Sequence, residues 1–224
     1  MTNGVAFKQS NYRKTKIKSH LPMDHSQGSY QPNSDGIPTD LFVSKKKKKP
    51  HKTITTSNAA NLRFTDSSAN LVFSVDPPPP SNTPTPFLKR LLADSSGNPL
   101  ISIARNQKST WQGFRKDGIE EKDLMFRVER TRNKLTKLEF QVFVNNGNPY
   151  KSDFKMRGSP FHRSCTIYKG DSIVAQTSLM YKLGIQNVVV PRNRFRVTIF
   201  PGYADNDFIV ALIVIFFYGR KLWI

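Results

Sequence analysis

The sequence predicts a mostly β fold in which an antiparallel sheet wraps around one apolar C-terminal helix. Two observations carry that expectation. From Leu41 onward, short apolar runs are cut by turn residues about a dozen times, a spacing that suits an antiparallel sandwich or barrel and leaves no room for alternating βαβ units. Near the C-terminus, residues 208–218 (FIVALIVIFFY) are eleven apolar residues without a break. A helix apolar on every side has no face for water and must be enclosed all round. With only strands as neighbours, the enclosing element is the sheet.

Residues 1–39 are polar, hold Gly, Pro, Asn and Ser, and show no apolar period of 2 or 3.6. They read as a disordered basic extension, since so little apolar surface cannot offset the entropy of ordering. The folded domain is expected over residues 40–224. Its candidate strands are residues 41–44, 61–64, 70–75, 88–92, 99–104, 109–114, 124–128, 137–144, 151–156, 163–168, 172–176, 185–190 and 195–200. Two hairpins share nearly the same turn, DSSAN at 66–70 and DSSGN at 94–98. Asp and Ser bond their own backbone in such turns, while Gly and Asn tolerate positive φ. Residues 76–86 hold six prolines in eleven positions. That composition makes a stiff loop between hairpins, with a polyproline II ligand for an SH3 or WW domain as the alternative.

The apolar run reads as a helix rather than a strand or a membrane span. As a helix it is about 16 Å long, half of a bilayer core. As a strand it would reach about 36 Å, long for this domain. Asp205, Asn206 and Asp207 precede it and Gly219, Arg220 and Lys221 follow it, which are start and stop signals with the favourable charges. No stretch reaches about 18 consecutive apolar residues and residues 1–20 lack an apolar signal region, so a cytoplasmic protein is expected. A single cysteine excludes an internal disulfide framework.

The stretches WQGFR (111–115), DFKMRG (153–158), RSCTIY (163–168) and IVAQ (173–176) occur in that order, followed by a strand at 197–200, a Pro-Gly-Tyr-Ala turn and the apolar helix. In these the chain resembles the plant LURP-one-related family, of the tubby-like and phospholipid-scramblase-like superfamily, across about residues 40–218. The resemblance implies a closed antiparallel β-barrel of about twelve strands around a central helix. It also implies kinship with membrane-tethered transcription regulators of the tubby type and a link to plant defence. The N-terminal extension, the lysine run, the proline-rich insert and residues 219–224 depart from the family pattern.

Charge is the strongest functional signal. The 35 Lys and Arg outnumber 16 Asp and Glu, for a net charge of +19. Residues 1–52 hold 11 basic and 3 acidic side chains, residues 53–100 hold 3 of each, and residues 101–224 hold 21 and 10. A field of that sign selects polyanions, either an anionic lipid surface or nucleic acid. The densest cluster, Lys45, Lys46, Lys47, Lys48 and Lys49 with Lys52, falls between the first two candidate strands and is expected on a loop at one rim. Arg192, Arg194 and Arg196 alternate along one strand, which sends them to one face while Phe195, Val197 and Ile199 face the core. These nine residues are the candidate anion-binding set.

Catalysis finds no support in the pattern. His20, His25 and His51 lie in the tail or the basic cluster, leaving His162 beside the turn at 158–160, where a packed or solvated histidine is the simplest reading. Cys165 reads as a buried small apolar residue. No phosphate-cradling or dinucleotide glycine motif occurs, and zinc lacks ligands, so no metal and no cofactor is expected. The leading expectation is a monomeric, non-enzymatic barrel whose basic rim holds anionic lipid, such as a phosphoinositide headgroup, at the periphery of the plasma membrane. The alternative is a nuclear regulator in which the lysine run serves import and the basic surface touches nucleic acid nonspecifically, with a protein-interaction scaffold as a third class.

Overall fold

A computed structural model describes residues 36–46, 61–76, 89–105, 110–118, 120–133, 137–145, 147, 150–160, 162–179 and 194–218. Strand formation follows the apolar alternation. In order the strands are β1 (Thr39–Lys46), β2 (Asn61–Thr65), β3 (Leu71–Asp76), β4 (Lys89–Asp94), β5 (Pro99–Arg105), β6 (Thr110–Arg115), β7 (Leu124–Asn133), β8 (Leu138–Val144), β9 (Phe154–Ser159), β10 (Ser164–Lys169), β11 (Ser172–Leu179) and β12 (Arg194–Ile199). Each pairs antiparallel with its neighbour in sequence, and β1 pairs with β12, closing a twelve-stranded barrel. Closure removes both sheet edges. The expected strand at 185–190 lies outside the described residues.

Among the described residues the one α-helix, α1 (Asn206–Tyr218), follows β12. Its first hydrogen bond runs from the Ile209 amide to the Asp205 carbonyl, which makes Asp205 the residue before the first turn. Every residue from 208 to 217 is buried, none more than 9% exposed. The helix packs with the inward residues of all the strands in one core, which is why eleven apolar residues in a row occur without an amphipathic face. Aromatic contacts fasten it along its length. The Phe208 ring meets Phe126 at 5.1 Å and Phe154 at 5.3 Å, while Phe216 meets Phe140 at 5.6 Å and Phe217 meets Phe195 at 4.7 Å.

The twin turns are built alike. Asp66 Oδ1 accepts from the amides of Ser68 and Asn70, at 2.9 and 2.8 Å, and Asp94 Oδ1 accepts from those of Ser96 and Asn98 at the same distances. Their fourth residues take positive φ, 65° at Ala69 and 88° at Gly97.

Candidate functional site

Because the strands run antiparallel in sequence order, the barrel's connections sort into two ends. At one end lie the strand termini flanking residues 47–60, 77–88, 106–109, 134–137, 160–163 and 180–193. Those six connecting sequences contain ten Lys and Arg and no Asp or Glu. At the other end lie the termini flanking residues 66–70, 95–98, 116–123, 145–153, 170–171 and 200–205. Those contain eight Asp and Glu against three Lys. The connecting sequences of the two ends thus differ in charge, and α1 starts at the end whose connecting sequences are acidic.

Acidic crowding has a local consequence. Burial raises the carboxyl of Asp207 above the usual carboxylate range, and the charge of Asp205 adds to the shift. Its position in the first helical turn, where a negative charge is favoured, does not overcome the desolvation.

The candidate residues divide. Arg194 and Arg196 stand exposed on β12 while Phe195, Val197 and Ile199 are buried, as the alternation predicts. Lys45 and Lys46 belong to β1, not to a loop, and pair with Leu62 and Asn61 of β2. The strand continues two residues into the lysine run because β2 offers a partner there. By alternation Lys45 shares the inward register of Leu41 and Val43, and it is half-buried. Lys47, Lys48, Lys49, Lys52 and Arg192 lie outside the described residues.

The register brings forward residues that the sequence did not single out. Arg194 is level with Ser44 of β1, and Ser44 is level with Arg63 of β2, so one cross-strand row reads Arg194, Ser44, Arg63. The next row holds Ser178 of β11, Arg196, Phe42 and Thr65. Arg196 pairs with Asp40 at 3.6 Å. Among the described residues no ion pair reaches Arg63 or Arg194. A second basic area surrounds Glu139, whose Oε1 lies 3.4 Å from Arg132, 3.6 Å from Arg157 and 4.0 Å from Lys137. There one carboxylate already satisfies the cations in part.

The sequence motifs prove to be packing devices. A Cβ on Gly113 would overlap the Phe126 ring, and one on Gly158 would overlap the Ser164 carbonyl. Asp153 closes the β8–β9 connection by accepting from the Val144 amide at 2.9 Å. Cys165 is buried, and burial pushes its thiol up, away from reactivity. Among the described residues no group of three or more His, Cys, Asp or Glu could hold a metal ion, and no helix is long and apolar enough to cross a membrane.

Residues 39–217 match the LURP-one-related family profile. The chain belongs to the LURP-one-related family. It is 40% identical to Protein LURP-one-related 7 of Arabidopsis thaliana over 201 residues, covering 88% of this chain and all of that one. Protein LURP-one-related 15 of the same plant is 32% identical over 69% of this chain and 71% of its own. The fold is similar to a crystal structure of an Arabidopsis thaliana protein, with a TM-score of 0.57 and 27% identity over 83% of this chain and 93% of that one. A closed twelve-stranded barrel around one C-terminal helix is the tubby-like architecture, so the family and the fold agree.

Proposed function

We propose that this LURP-one-related barrel is a non-enzymatic regulator in plant defence or signalling that docks peripherally on anionic membrane lipid through its basic end. The difference in charge between the connecting sequences of the two ends supports the reading. Ten cations and no carboxylate in the connections of one end favour approach of that end to a negative surface, and the eight carboxylates of the other end oppose the inverted approach. Each Lys or Arg near an anionic leaflet contributes about 1 kcal/mol, so a handful suffices for reversible attachment. The defence role is what kinship with the family suggests.

Reversing Lys47, Lys48 and Lys49 to Glu tests it while leaving the paired residues of β1 untouched. Sedimentation with phosphatidylserine vesicles should show at least a tenfold loss of binding, shrinking as salt is raised. Binding unchanged by the reversal would remove the run from the mechanism.

A further inference from the structure

We propose that Arg63, Ser44 and Arg194 form a phosphate-ester site on the outer wall of the barrel. The inference rests on the anion-binding reading above and goes further, assigning one place and one ligand chemistry to it. The three residues come from three strands, β2, β1 and β12, and meet only because the closure of the barrel sets β1 between its second and its last strand. Inter-strand spacing puts the two arginine Cα atoms about 10 Å apart, with Ser44 midway. Both guanidinium groups can therefore reach inward over the serine.

Two planar forks converging from opposite sides suit a tetrahedral dianion. A carboxylate has two oxygens and is satisfied by one bidentate arginine, whereas a phosphate monoester offers three terminal oxygens and can engage both. The serine hydroxyl below supplies one further donor. Among the described residues no ion pair compensates the charge of the row: Asp40 is engaged with Arg196 in the next row, and Asp76 of β3, diagonal to Arg63 by register, forms no ion pair with it. That neighbouring row ends the site on one side with the half-buried Phe42 rather than with an acid.

The wall is open, so the ligand is a phosphate projecting from something larger. Arg194 is the first residue of β12 and Arg63 the third of β2, which sets the site close to the basic end of the barrel. A phosphate carried on an inositol headgroup has the right chemistry, and it has two sources, a membrane lipid and a soluble inositol polyphosphate.

The test compares the full chain with an Arg63→Gln/Arg194→Gln variant and with a charge-matched Arg115→Gln/Lys151→Gln control, whose residues lie toward the acidic end. The probes are vesicles carrying a phosphorylated inositol lipid, phosphatidylserine vesicles of equal surface charge, and soluble inositol hexakisphosphate by calorimetry. All proteins are first checked for unchanged thermal unfolding. The expected result is a loss of about tenfold per arginine toward the inositol phosphates, little change for the control, and a small equal loss for both on phosphatidylserine. A second variant, Ser44→Asp, plants a carboxylate between the arginines and should abolish inositol-phosphate binding. Equal losses for variant and control on every probe would overturn the site and leave the membrane reading standing. Wild-type binding to the soluble phosphate without any vesicle binding would overturn the membrane reading and leave the site. Wild-type protein that binds none of the probes would overturn both.

Discussion

Gly113 faces the barrel interior, and the Phe126 ring that crosses it also meets Phe208 at the start of the helix. A methyl at that position has nowhere to go, because the ring is fully buried. Gly113→Ala should cost about 1–3 kcal/mol by overpacking, read as a lower urea midpoint with an unchanged slope. Asp207 makes the opposite case. Its carboxyl is raised in the folded state, so its contribution to stability is fully present below the ordinary carboxylate pKa and is lost as pH rises through the folded value. Asp207→Asn should therefore melt higher than the parent at neutral pH, and the difference should disappear below about pH 4. An amide oxygen can still accept from the Phe208 amide as Oδ1 does. A difference that persisted in acid would locate the effect in packing instead. Arg63 illustrates what single residues conceal. Its flanking Leu62 and Phe64 mark it as outward in β2, yet nothing local says that Ser44 and Arg194 lie beside it.

Among the elements, α1 was the most legible, since eleven apolar residues bounded by acids and by glycine with cations allow few other readings. The strands were legible as elements and less so at their ends. β7 runs to Asn133, five residues past the apolar stretch, because β8 supplies a partner along its whole length and the outward residues there are charged. β9 begins at Phe154 rather than at residue 151, since Asp153 spends its carboxylate on closing the preceding connection. Lys45 and Lys46 show the same effect, with pairing overriding composition. For the helix itself, Ile213→Asp should cost several kcal/mol and leave little folded protein at neutral pH, as judged by loss of the cooperative thermal transition. A folded, cooperative variant would mean that the centre of the barrel admits water.

For the whole molecule, closure and order follow from the register and not from any one segment. The sequence pattern allowed a sandwich as well as a barrel, and it was the enclosed helix, together with the family resemblance, that favoured a closed sheet. The sorting of charge between the ends needed the topology, because basic and acidic connections alternate along the chain and look evenly mixed when read in sequence. Residues 40–207 alone should yield no stable domain, for the interior would be left unfilled, and circular dichroism with a thermal scan would show it. The last strand and the helix also carry a temporal consequence. Thr39 pairs with Ile199, and the core-filling helix comes later still. A ribosome making this chain has delivered eleven strands before the one that closes the ring, and the hydrophobic centre emerges after that. Contacts this distant in sequence form slowly and leave unpaired strand edges exposed while they wait. Nascent chains stalled before residue 200 should therefore be protease-sensitive and chaperone-bound, and protection should appear abruptly only when the helix has cleared the exit tunnel.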